Sequence, residues 1–309
     1  MSATVPDRLA DQQGGQITES AQASLAGGRP QERPAVANGR VSGSRVALAL
    51  AWREIVRFVR QPNRIVGAVG TPLLFWLLLG TGLAGTFRVG QGAWSQDYRA
   101  FFFPGSLMLM VLFTTVFSAI SIIEDRREGF LQGVLVAPVP RWSMVLGKVA
   151  GGTAVALAQA VVFLVLGLSV GFTPRPLETV ELAGLLVATA VGLTSLGFYF
   201  AWKTDSVQGF HAVMNLVLMP LWLLSGGLFP APGELGSGGW GANALGLAMR
   251  LNPLSYAVGG LRRLLWPDAS YGGIWVPGLP ASWAVTLGTA AAFFTLAVWV
   301  TRQRRGDWS

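Results

Sequence analysis

The side chains best able to do chemistry lie in one short charged segment, Glu124–Arg141. Five charged residues follow one another at Glu124–Glu128, and apolar residues then recur at helical spacing until Pro138 and Pro140 stop any helix. The pattern predicts a short amphipathic helix on a tight loop. Long uncharged runs flank the segment on both sides, so we expect it to sit in water, where another molecule could hold it.

Catalytic chemistry finds little support elsewhere in the chain. The absence of cysteine excludes disulfides and cysteine metal sites, and a single histidine, His211, excludes a multi-histidine metal or proton-relay site. The 15 acidic residues form no carboxylate pair in the apolar runs, and no Ser-His-Asp set is present. Gly147-Lys148 lacks the upstream glycine of a phosphate loop, and Leu224–Leu228, although similar to a nucleotide-binding signature, ends an apolar run that ATP cannot reach. We therefore expect no catalytic residue, no metal and no cofactor in this chain.

The composition is that of an integral membrane protein. Of 309 residues, 52% are hydrophobic and only 12% are charged, and the mean hydropathy is +0.50. A soluble domain would carry about a quarter charged residues. The net charge of +8 does not indicate a nucleic-acid partner, because the arginines cluster beside the apolar runs.

Six apolar runs are long enough to cross a bilayer as helices. They are Ile65–Leu83, Phe101–Ile123, Val149–Phe172, Val180–Trp202, Phe210–Phe229 and Trp283–Val300. We therefore predict an all-α polytopic membrane protein with six transmembrane helices. Between the fifth and sixth runs, Ala244–Leu251 and Tyr256–Trp266 are apolar but too short to cross, and they are predicted to be re-entrant or interfacial helices.

The region before the first span divides into two parts. Residues 1–44 lack aromatic residues and any apolar period, which predicts a disordered tail, and residues 45–309 form the membrane domain. From Arg45 the pattern predicts an amphipathic helix lying on the membrane, broken at Gln61-Pro62-Asn63. Its apolar stripe is Leu48, Trp52, Ile55 and Val59, and its basic face is Arg53, Arg57 and Arg60. One side of the membrane receives 13 Lys and Arg and the other receives 6, so the tail and both termini are predicted to be cytoplasmic.

A six-span protein could be a carrier, a channel, a membrane enzyme or one part of an ATP-driven pump. Coupled carriers usually hold ionisable groups near mid-membrane, and the predicted spans contain only Glu181 and His211, each within two residues of a span boundary. This observation disfavours a carrier or channel that works without an ATPase.

Two sets of residues resemble the ABC-2 type exporter permeases. The charged segment with the following Gly147-Lys148 resembles the cytoplasmic loop of that family. A second set matches later in the chain, namely Leu224–Pro230, Asn252–Tyr256 and Leu261-Arg262. The resemblance covers about Leu48 to Arg304, and the charged segment departs from the family pattern at Phe130, Gln132 and Pro140.

The resemblance implies the transmembrane permease subunit of an ATP-driven ABC exporter in the plasma (inner) membrane. Such a subunit contacts membrane lipid, pairs with a second copy or a related permease, and is driven by cytoplasmic ATPase subunits that bind ATP and Mg. Residues expected to couple the ATPase are Glu124, Asp125, Arg126, Arg127, Glu128, Gly129, Phe130, Leu131, Pro138 and Arg141. The interfacial helix would provide a second contact, through Trp52, Arg53, Arg57 and Arg60.

The resemblance extends to the daunorubicin-resistance group, which implies outward movement of a hydrophobic or amphipathic substrate, drug or lipid-like. Export of a polysaccharide or lipid-linked glycan is the nearest alternative. Residues that could line an apolar path are Met108, Phe113, Phe117, Asn215, Met219 and Trp222, and ordinary packing is the other interpretation of each.

Overall fold

The computed structural model describes residues 42–84, 98–236 and 239–303, and most of the predicted tail, residues 1–44, lies outside them. Within these ranges the chain is built from helices joined by turns, and we number them in order. They are α1 (Gly43–Val59), α2 (Pro62–Gly82), α3 (Tyr98–Arg127), α4 (Phe130–Val136), α5 (Arg141–Gly167), α6 (Pro176–Lys203), α7 (Val207–Leu223), α8 (Trp240–Leu251), α9 (Pro253–Leu265) and α10 (Leu279–Arg302). A 3-10 turn, Leu168–Val170, extends α5.

Five of the described helices are long and apolar enough to cross a membrane: α2, α3, α5 with its 3-10 turn, α6 and α10. They correspond to the first four predicted spans and the sixth. The fifth, Phe210–Phe229, is helical only as far as Leu223, and α7 has 17 residues, a length of about 26 Å. A turn follows α7, in which the Ser225 hydroxyl donates to the Trp222 carbonyl at 2.6 Å. The described chain therefore has five full-length apolar helices and one shorter one.

Helix α3 is the centre of the bundle. Its residues from Phe101 to Leu112 are buried without a break, and α2, α5, α6, α7 and α9 all pack against it. The outer helices instead present large apolar side chains outward. More than half of the side chain is exposed at Leu74, Leu78, Val161, Val165 and Leu287. A buried core surrounded by an apolar exterior is what helices facing lipid require.

Helix α1 ends where predicted, before Pro62, which occupies the first turn of α2. Leu48 and Trp52 of its predicted apolar stripe are exposed, whereas the face that carries Glu54 packs closely against α5. Glycine allows this approach, because a Cβ at Gly151 would lie 2.6 Å from the Glu54 Cβ. The helix therefore packs on the bundle along one face and exposes its apolar stripe, and its location at a membrane surface remains a prediction.

The chain between α7 and α10 contains the two short helices that the sequence predicted. Helix α9 is mostly buried, against α3, α6 and α10, whereas most of α8 is exposed. Their depth in a membrane remains a prediction.

Candidate functional site

A cluster of charged side chains joins α1, α3 and α5, and we call it the charge cluster. At its centre Lys148 of α5 forms ion pairs with Asp125 of α3 and Glu54 of α1. Exposure is 4% for Lys148, 0% for Asp125 and 4% for Glu54, so the three charges are sealed from solvent. Ser121 completes the set, donating to Glu54 Oε2 at 2.6 Å and accepting from Lys148 Nζ at 3.1 Å.

Arginines of α1 surround the same carboxylate. Arg53 binds Asp125 through two parallel hydrogen bonds of 2.7 and 2.9 Å, and Arg57 adds a third of 2.7 Å to Oδ1. The hydrogen bonds to Asp125 raise the pKa of the Arg53 guanidinium above its ordinary value. Two-point pairing of this kind fixes direction as well as distance, which holds α1 in one register on α3.

The edge of the charge cluster extends to α2. Glu124 accepts a 3.0 Å hydrogen bond from Arg57 and pairs with Arg64 at the start of α2. Arg57 also lies 3.5 Å from Glu128, which is 60% exposed. The charge cluster is therefore buried at Lys148 and reaches solvent at Glu128.

The energetics of the charge cluster favour movement as one unit. Removing one partner of a buried ion pair costs about 3–5 kcal/mol, because the other charge is left without compensation. Separating α5 from α1 and α3 would leave Lys148 without either carboxylate, and it would leave Glu54 without its buried cation. These ion pairs therefore oppose the separation of the three helices at this end of the bundle.

Arg126 connects the C-terminal end of α3, which carries the charge cluster, to α6. Its guanidinium donates to the carbonyls of Ala201, Trp202 and Thr204 at 2.7–3.1 Å. These groups lie at the end of α6, where helix carbonyls have no partner within the helix, and a cation there is also favoured by the helix dipole. Arg126 therefore caps α6, so that α3 and α6 are joined at this end.

Helix α4 is the predicted short helix, and it is confirmed at Phe130–Val136. Gly129 precedes it with a φ of 76°, a left-handed conformation that glycine adopts without strain. Leu131 is buried, and the Phe130 ring lies 3.9 Å beneath the Arg53 guanidinium, which ties α4 to the charge cluster. The outer side of α4 and its flanks is exposed, and it comprises Arg127, Glu128, Gln132, Gly133, Val136, Pro138 and Pro140.

The residues that the sequence analysis proposed for ATPase coupling are partly buried and partly exposed. The expectation that the whole charged segment sits in water is wrong, since Asp125 is fully buried and Glu124 and Arg126 are largely buried by their ion pairs and hydrogen bonds. Arg127 and Glu128 remain exposed. Arg141, at the start of α5, directs its guanidinium to the Thr301 carbonyl of α10.

The residues proposed for the interfacial helix also differ in burial. Arg53 and Arg57 belong to the charge cluster, whereas Trp52 and Arg60 are exposed. Sequence reasoning missed Glu54, Arg64 and Ser121, and it treated Lys148 only as part of a motif. The available signal was Glu54 itself, a carboxylate on a helix otherwise lined with arginines.

The proposed path residues occupy two kinds of position. Met108 and Trp222 are buried, and the Trp222 indole donates to the Gly105 carbonyl at 2.8 Å. Phe113 and Phe117 stack on each other, with ring centroids 6.3 Å apart, and are half-buried. Asn215 is exposed and Met219 is half-buried, both on α7.

The later motif residues form a second buried unit at the other end of α3. Arg262 of α9 donates to the carbonyls of Phe101 and Gly226, at 3.1 and 2.9 Å. Ser255 donates to the Leu224 carbonyl and Asn252 to that of Leu221, at 3.0 and 2.6 Å. Two motifs that are separate in sequence therefore form one contact, in which α9 satisfies the carbonyls that end α7.

Comparison with known proteins identifies the family. Residues 45–266 match the model of the ABC-2 type transporter family. The chain is 30% identical over 267 residues to the inner membrane transport permease YadH of Escherichia coli (strain K12), which covers 84% of this chain and 95% of YadH. It is 26% identical over 282 residues to the daunorubicin resistance ABC transporter permease protein DrrB1 of Streptomyces coeruleorubidus, which covers 88% and 90% of the two chains.

The chain belongs to the ABC-2 type transporter family and is a membrane transport permease. The family resemblance inferred from the charged segment and the later motifs is thereby confirmed.

Proposed function

We propose that this chain is the transmembrane subunit of an ATP-driven exporter, powered by separate cytoplasmic ATPase subunits that bind ATP and Mg. The observation that carries the proposal is the charge cluster, which lies directly behind the exposed surface of α4. In the proposed arrangement α7 is the fifth of six spans. The charge cluster, the tail at residues 1–44 and both termini face the cytoplasm, and residues 45–309 form the membrane domain.

The proposed mechanism begins at α4. The exposed surface formed by Arg127, Glu128 and Val136 seats in a groove of the ATPase, as mixed-charge helices with an apolar side chain do. Movement of α4 is passed to α1 through Phe130 and Arg53, and Gly129 connects α4 directly to α3. Because α3 is the central helix, its displacement shifts the packing of the whole bundle.

The proposed substrate is a hydrophobic or amphipathic molecule, drug or lipid-like, that moves outward. The similarity to a daunorubicin resistance permease supports this class. Phe113, Phe117, Asn215 and Met219 remain the proposed path residues, because they are exposed or half-buried on α3 and α7. A path completed by a second permease copy would place these side chains on its wall.

The test is recovery of the full chain from its own cells in mild detergent, followed by measurement of ATPase activity in the recovered complex. We expect a cassette ATPase to co-purify. Arg127→Glu should abolish co-purification of the ATPase, or the stimulation of its activity by the permease, because the substitution reverses an exposed charge beside α4. Arg302→Glu is the matched control, since Arg302 is an exposed cation in the last turn of α10.

Unchanged transport by Arg127→Glu would contradict the coupling role of α4. Recovery of an active transporter that contains no ATPase would instead favour a carrier that works alone.

A further inference from the structure

An apolar groove runs along the outside of the bundle between α1, α2 and α5. Its volume is about 590 Å³, and it is separate from the charge cluster. Val59 of α1, Val66 of α2 and Val162 of α5 line it, and each exposes at least 60% of its side chain. Gly70 and Ala158 widen the groove, since neither side chain fills it. A surface of this shape suits an extended alkyl chain.

One polar group lies within the apolar wall. Gln159 of α5 lines the groove, is 8% exposed and contacts the Thr114 hydroxyl through its amide oxygen. Its amide nitrogen has no hydrogen-bond partner among the described residues. The amide nitrogen is a hydrogen-bond donor, so a ligand that pairs with it must supply an acceptor oxygen. A buried amide without a partner costs about 1–3 kcal/mol, so a ligand that supplies a polar atom here would be stabilised.

A free cation lies beside the groove. Arg60 follows Val59 in the turn between α1 and α2 and is exposed. Its neighbours Arg57 and Arg64 are both engaged by Glu124, whereas Arg60 has no ion pair within the described part of the chain. The turn therefore presents one cation that can bind an anionic group.

We propose that this groove holds one anionic glycerophospholipid, with an acyl chain between α2 and α5 and the phosphate at Arg60. A glycerolipid combines the features that the groove requires: an alkyl chain for the walls, an ester group for Gln159 and a negative headgroup for the cation. The lipid is a bound component of the permease, so the inference extends beyond the proposed function and requires neither an ATPase nor a substrate.

The test is native mass spectrometry of the purified full chain in detergent, titrated separately with phosphatidylglycerol and phosphatidylcholine. We expect one phosphatidylglycerol to be retained in preference to phosphatidylcholine. Arg60→Gln should lower the affinity for phosphatidylglycerol about fivefold, the effect of one basic residue near an anionic headgroup, and leave that for phosphatidylcholine unchanged. Arg302→Gln, which removes an exposed cation elsewhere, should change neither.

A second pair of variants tests the acyl chain. Ala158→Phe places a ring in the groove and should reduce retention of both lipids, whereas Val161→Phe, on the same helix but outside the groove, should not. Equal retention of both lipids by the wild type and Arg60→Gln would overturn the proposal. A change of oligomeric mass in Ala158→Phe, with lipid retention intact, would also overturn it and assign the groove to contact between copies of the chain.

Discussion

Lys148→Met is the most direct test of the charge cluster, because it removes the central cation while keeping an unbranched side chain of similar length. In the variant, Glu54 keeps only the Ser121 hydroxyl and Arg53, whose Nη1 lies 3.6 Å away. Asp125 keeps both arginines. Loss of a buried partner costs about 3–5 kcal/mol, and the remaining arginines place this case near the lower figure, at about 3 kcal/mol.

A loss of about 3 kcal/mol corresponds to a decrease in Tm of about 6–12 °C for a chain of this size. The measurement is thermal unfolding of the detergent-solubilised protein, followed by tryptophan fluorescence. Lys203→Met is the control, since Lys203 is exposed at the end of α6, and it should shift the Tm by no more than about 2 °C.

The double variant Lys148→Met with Glu54→Gln distinguishes charge from packing. Glutamine can still accept the Ser121 hydrogen bond, and the buried negative charge is removed together with the positive one. We expect the double variant to recover about 2 kcal/mol relative to Lys148→Met alone. The reasoning would be refuted if the losses of the two single variants simply added, or if Lys148→Met behaved like Lys203→Met.

Two further predictions concern packing. Gly151→Val should lower the Tm by several degrees, because a Cβ at this position would lie 2.6 Å from the Glu54 Cβ and α1 would have to move away from α5. The control in the same unfolding measurement is Gly133→Ala, since a Cβ at Gly133 would have no atom within 4 Å. Trp222→Phe should cost about 1 kcal/mol by losing the hydrogen bond to Gly105, and it should lower the Tm without changing which substrates are transported. A selective change of substrate in Trp222→Phe, at unaltered Tm, would contradict its assignment to the core.

Local signals predicted the helices well. Continuous apolar runs located five full-length helices, and the proline at position 62 separated α1 from α2 as expected. The prolines at 138 and 140 likewise separated α4 from α5. The fifth span was overestimated, because apolar content continues through Phe229 while the backbone turns after Leu223. Hydrophobicity measures where a residue can be buried, and it does not register where a helix ends.

The sequence predicted where the charged segment of the candidate site lies, but it did not predict which of its charges are buried. The sequence by itself determined the class of protein, the helices and the position of the charged segment, since these depend on composition and on neighbours a few residues apart. Only the tertiary structure decided which charges are buried: Arg53 and Asp125 lie 72 residues apart, and Glu54 and Lys148 lie 94 apart. A charged residue is expected to face water unless a partner compensates it. That partner is brought into place by packing between distant helices, so no local pattern could identify it.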